Sequence, residues 1–128
     1  IRSQAPLLRQ SGMIAWIEEE LARMDTQAEI GAVLDAPFAA VGAWAARHAI
    51  APDRIILGEF GMIRQEWENP AIVPAGERAA YYRAMMDRAE AAGFAWSMWS
   101  YSGAFGVVEE FDRRPAEPDV LNTLPTRP

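Results

Sequence analysis

Apolar residues recur at helical spacing through Met13, Ile14, Ile17, Leu21 and Met24, with Glu18, Glu19, Glu20 and Arg23 on the other side. The pattern predicts an amphipathic helix that opens at Ser11 or Gly12 and ends near Asp25. Asp35-Ala-Pro37 predicts a second start, an N-cap aspartate with proline in the first turn, for a helix that buries Phe38, Val41, Ala45 and His48. Pro52-Asp53 then turns the chain into a different pattern. Ile55, Ile56 and Leu57 form a short β-branched and apolar run, which reads as a strand buried on both faces. Glu59 breaks that run at its end, between Gly58 and Phe60-Gly61. In a regular strand Ile55, Leu57 and Glu59 share one face and Ile56, Gly58 and Phe60 the other. Gly58 and Gly61 are expected to leave room for a bound group.

From Met62 to Gly76 the periodicity disappears and Pro70, Pro74 and Gly76 mark a long loop. The clearest helix follows, Glu77 to Ala92, with Ala79, Tyr82, Met85, Met86 and Ala89 inward, Arg83 and Asp87 paired along its surface, and Gly93 as a left-handed stop. Next comes a second strand, Phe94 to Tyr101, in which Ala95, Ser97 and Trp99 share one side and Trp96 and Met98 face the helices. Strand, helix, strand is a βαβ unit with parallel, neighbouring strands, so the loops after both strands open at one edge of the sheet. The tail from about Asp112 is rich in proline and charge and holds a short helix over Asp119 to Leu124.

Composition narrows the chemistry. Half of the chain, 51%, is hydrophobic, which is ample for a core, and no uninterrupted apolar run approaches the roughly 18 residues of a bilayer span, so no membrane partner is expected. Twelve basic against eighteen acidic residues give a net charge of −6, the opposite of a nucleic-acid footprint. With no cysteine and one histidine there is neither a disulfide nor a thiolate or imidazole cluster, so no metal and no cofactor are expected.

Gly58-Glu59-Phe60-Gly61, an amphipathic helix, then Ala95-Trp96-Ser97-Met98-Trp99-Ser100-Tyr101 and a glycine-rich stretch resemble the end of a glycoside hydrolase family 5 catalytic domain. That family includes many cellulases, and the likeness runs from about Phe38 to Leu124. It implies that Glu59 sits at the tip of the seventh strand of a (β/α)₈ barrel as the nucleophile and that Trp99, on the eighth, is the platform under the sugar. It also implies an Asn-Glu pair whose glutamate is the acid/base, and His and Tyr on intervening strands. No Asn-Glu dipeptide occurs here, and His48 falls in a helical segment.

A whole barrel takes about 250 residues, and the chain has 128. The expected fold is therefore α/β, the C-terminal half of a TIM (β/α)₈ barrel with parallel strands alternating with helices. Residues 1–128 form a partial catalytic domain, with barrel strands seven and eight at about 54–60 and 94–101. Its expected partners are a β-glucan or oligosaccharide and the missing N-terminal half of the barrel. The resemblance is compatible with a secreted or periplasmic full-length protein.

Retaining cleavage of a glycosidic bond takes an ionised carboxylate and a protonated carboxylic acid about 5–5.5 Å apart. Glu59 is the candidate for the first. Trp99 offers an apolar face to the sugar, Trp67 and Tyr101 would extend that platform, and Arg64, Gln65 and Glu66 would bind hydroxyls. Other readings stand beside these. Glu59 could be a buried structural carboxylate paired with Arg54 or Arg64, and Trp99 could be core. Trp16, Trp44 and Trp96 read as packing residues, and Glu109-Glu110 as a solvated pair. A non-catalytic carbohydrate-binding module and a structural half-barrel are the competing functions.

Overall fold

Thr26 and Glu29 start the longest helix by capping each other. The Glu29 amide donates to the Thr26 hydroxyl at 3.2 Å, and the Glu29 carboxylate accepts from the Thr26 amide at 2.9 Å, which satisfies two donors that a helix end otherwise leaves open. The computed structural model describes residues 14–65 and 72–125. Residues 11–13, where the first helix is expected to open, lie outside that range.

The chain divides into two compact units, residues 1–40 and 41–128. In the first, α1 (Ile14–Ala22) buries no residue, Trp16 is exposed, and Arg23 reaches back to Glu19 and Glu20. Helix α2 is Gln27–Arg47, with residues 41–47 counted in the second unit, and starts before Asp35, so the second start expected at Asp35-Ala-Pro37 does not exist. The Thr26–Glu29 capping box nucleates the helix upstream. Pro37 sits in its interior, and the carbonyl four residues earlier loses its helical donor there. Of the expected inward residues, Ala45 is buried, Phe38 is half-buried, and Val41 and His48 are exposed. Trp44 is exposed as well and stacks at a tilt on His48, so neither Trp16 nor Trp44 is a packing residue here. By length and composition alone, α2 would reach across a bilayer, although no uninterrupted apolar run marks it.

In the second unit, a 3₁₀ turn (Pro52–Arg54) leads into β1 (Ile56–Phe60), α3 (Ala75–Ala91), β2 (Ala95–Met98) and, after an irregular stretch, α4 (Pro118–Leu121). β1 and β2 pair in parallel, as the strand-helix-strand pattern predicts, so the fold is α/β with a βαβ unit. Helix α3 ends as expected: Gly93 has φ +73° and the Phe94 amide donates to the Ala89 carbonyl at 2.8 Å, the left-handed stop that glycine alone adopts without strain. Tyr82, Met86, Phe60, Ala79, Val107 and Val120 form the core, with Leu57, Trp96, Met98 and Met85 packed against it.

β1 is not the regular strand, buried on both faces, that its sequence predicts. Ile56 pairs with Ala95, Leu57 with Trp96, and Phe60 with Met98, so Gly58 and Glu59 together oppose Ser97. This is a β-bulge, and one extra residue exchanges the faces of everything beyond it. Leu57 and Phe60 consequently both enter the core, where strict alternation would separate them. Glu59 is turned to the face opposite the helices, with Ile56, Ala95, Ser97 and Trp99, all of them exposed.

Candidate active site

The bulge at Gly58-Glu59 and the exit of β2 meet over one cleft of about 440 Å³, lined by Glu59, Phe60, Gly61, Tyr81, Trp99 and Phe105. It lies where both strands end, the edge at which parallel α/β sheets carry their ligands. The Glu59 side chain is exposed and has no hydrogen bond or ion pair among the described residues, and Arg64 pairs with Glu109 at 3.3 Å instead. A carboxylate at a fixed strand end, open to a cleft, is placed to attack an electrophilic carbon brought to it.

Trp99 is held by its backbone and free in its ring. Its amide donates to the Phe60 carbonyl at 2.7 Å, and its carbonyl accepts from the Tyr82 hydroxyl at 2.9 Å, while the residue remains 50% exposed. The peptide between Trp99 and Ser100 is cis. Gly61 lines the cleft, but its missing side chain is not the space for a ligand that the sequence suggests: a Cβ there would collide with the Trp99 carbonyl oxygen, whereas one at Gly58 would meet nothing. Gly61 serves the close approach of two backbones at the edge of the cleft.

The remaining candidates among the described residues lie apart from these two. Tyr101 is exposed, does not line the cleft, and has one ring face covered by the Arg113 guanidinium at 5.7 Å. The Arg64 side chain turns to Glu109 and Gln65, and its amide donates to the Ala104 carbonyl at 2.8 Å, tying together the loops that follow the two strands. Glu109 is thus bound to Arg64, while Glu110 is solvated. Trp67 and Glu66 lie outside the described residues. Among those residues no group of His, Cys, Asp or Glu has metal-binding geometry.

Tyr81 and Phe105 line the cleft and were not singled out in the sequence. The signal for Tyr81 was the Tyr81-Tyr82 doublet near the middle of α3: if Tyr82 is inward, its neighbour leaves the helix about 100° around the axis from it. Burial pushes the phenols of both Tyr81 and Tyr82 above the ordinary 10.0, and for Tyr82 the Met62 amide pulls the other way without cancelling it. The folded chain therefore favours the neutral phenols. The stability this gives is complete below about pH 10 and is lost as the pH rises through the folded-state values. The urea midpoint should be level from about pH 8 to about pH 9.5 and fall above about pH 10. A midpoint unchanged at about pH 12 would contradict the burial of these phenols.

Solved structures contain a similar fold. The chain is similar to the cellulose synthase subunit Z of Clostridioides difficile (25% identity over 77% of this chain and 29% of that one, TM-score 0.63). It shares its fold with an endoglucanase (21% identity, 77% and 28%, TM-score 0.60) and a hyperthermophilic endo-β-1,4-glucanase solved with substrate (22%, 77% and 28%, TM-score 0.57). It spans less than a third of the length of each. No family model and no curated protein matches the sequence.

Proposed function

We propose that this chain is the C-terminal part of a (β/α)₈ barrel from a family 5-like retaining β-glycosidase that acts on β-1,4-glucan, with Glu59 as nucleophile and Trp99 as the sugar platform. The observation that carries the reading is that Glu59 and Trp99, forty positions apart in sequence, border the same open cleft at the carboxyl ends of a parallel strand pair. The fold shared with a cellulose synthase subunit and two endoglucanases supports glucan as the substrate class.

In this mechanism a glucose unit lies with its C–H face on the Trp99 indole and its anomeric carbon at the Glu59 carboxylate. The carboxylate forms a bond to that carbon as the bond to the leaving oxygen breaks, and water later hydrolyses the glycosyl ester. A poor leaving group needs a proton, which the acid/base glutamate supplies in the complete barrel. The chain carries no Asn-Glu pair to provide it. No metal or organic cofactor enters the reaction.

Cellotetraose should quench tryptophan fluorescence saturably, and Trp99→Ala should weaken binding roughly tenfold, the scale of one aromatic platform at about 1.5 kcal/mol. The chain alone should turn over an aryl cellobioside only at background. Equal affinity in Trp99→Ala would overturn the assignment of the platform.

A further inference from the structure

Tyr82 is 1% exposed and stands on α3 beneath the cleft. Its ring packs on Phe60 at 5.8 Å between centroids, so its position is set by the core. Its hydroxyl does two things at once. It donates to the Trp99 carbonyl at 2.9 Å and accepts from the Met62 amide at 3.3 Å. The first partner leaves β2 and the second leaves β1, so one oxygen joins the exits of both strands. The Trp99 carbonyl is in turn wedged against Gly61, where any side chain would collide with it. With the Trp99 amide bound to Phe60, the indole springs from a peptide fixed on three sides.

We infer that Tyr82 is a positioning residue: its hydroxyl sets the height and direction of the Trp99 platform relative to Glu59, and so the reach of the carboxylate to the anomeric carbon. The inference rests on the glycosidase reading for its consequence, but its geometry stands independently. A core tyrosine needs only its ring for packing. The buried hydroxyl costs free energy unless both its bonds are made, and both are made to the backbone that flanks the cleft.

Tyr82→Phe keeps the ring and removes the clamp. Two readouts on the full chain test it. In ¹⁹F NMR with 5-fluorotryptophan, the Trp99 resonance, identified by its loss in Trp99→Phe, should shift in Tyr82→Phe while those of Trp16, Trp44 and Trp96 stay in place. A role in general stability would move all of them or none. The second readout is capture of Glu59 by a fluoro-cellobioside with a dinitrophenolate leaving group, whose maximal rate should fall about tenfold, the scale of one or two lost hydrogen bonds. Wild-type capture with no effect of Tyr82→Phe and an unmoved Trp99 resonance overturns the inference. No capture by the wild type counts against the glycosidase reading alone, and the NMR arm still decides the clamp. Should Tyr82→Phe not fold, hydrogen exchange of the wild-type Met62 amide decides: a protected amide supports the clamp, and free exchange overturns it.

Discussion

Glu59→Gln will lower the rate of capture by an activated fluoro-cellobioside by more than about 10³-fold, the scale on which removal of a covalent nucleophile acts. The reagent isolates the residue because dinitrophenolate leaves with its bonding electrons and needs no proton, so no general acid is required. The substituted amide has nearly the same shape and should still bind the sugar against Trp99, but its oxygen carries no charge to donate. Glu59 lies in an open cleft, with no partner in the described chain to be orphaned by the change, so the variant should unfold at the wild-type temperature. Intact mass against time measures the rate. Capture of Glu59→Gln within a few-fold of wild type would remove Glu59 from the chemistry.

Glu117→Ala will cost the fold about 3–5 kcal/mol, the range for stripping one partner from a buried ion pair. Arg78 and Glu117 are 5% and 7% exposed, and their side chains meet through Nε–Oε2 at 3.1 Å and Nη2–Oε2 at 2.7 Å. Arg78 also donates to the Val73 carbonyl. The pair pins the stretch before α4 to the first turn of α3. That stretch is further held by the Ala116 amide on the Val107 carbonyl at 2.9 Å, and it carries Val107 and Val120 into the core. Without Glu117 the guanidinium is left charged in an apolar setting. For a unit of this size the melting temperature should drop by at least about 12 °C. The double variant Arg78→Met with Glu117→Leu should recover most of it, since the charge and its counter-charge leave together. A Glu117→Ala loss below about 1 kcal/mol would mean that water reaches the pair.

The βαβ unit, the inward stripe of α3 and the stop at Gly93 could be read from periodicity because each depends on neighbours in sequence. The joint placement of Glu59 and Trp99 was legible through the parallel topology. How Glu59 reaches the open face was not: alternation presumes a regular strand, and the bulge depends on the register against β2, which no pattern within β1 encodes. The ion pair of Arg78 leaves no local pattern, because its partner lies 39 positions away. The start of α2 was misread although its signal was present, since Thr26-x-x-Glu29 is a capping box and Pro37 outweighed it. Gly61 was read as space for a ligand because a sequence shows the missing side chain but not the Trp99 carbonyl that fills the gap.

The most direct test of the account is the position of the captured sugar. Cleavage after Arg54 and Arg64 releases residues 55–64, in which Glu59 is the only side-chain carboxylate. After incubation with the activated fluoro-cellobioside, tandem mass spectrometry should place one glycosyl group on that peptide, at Glu59. Saturable binding of cellotetraose with that peptide unmodified, or with the label on Glu109, Glu110 or Asp112, would contradict it.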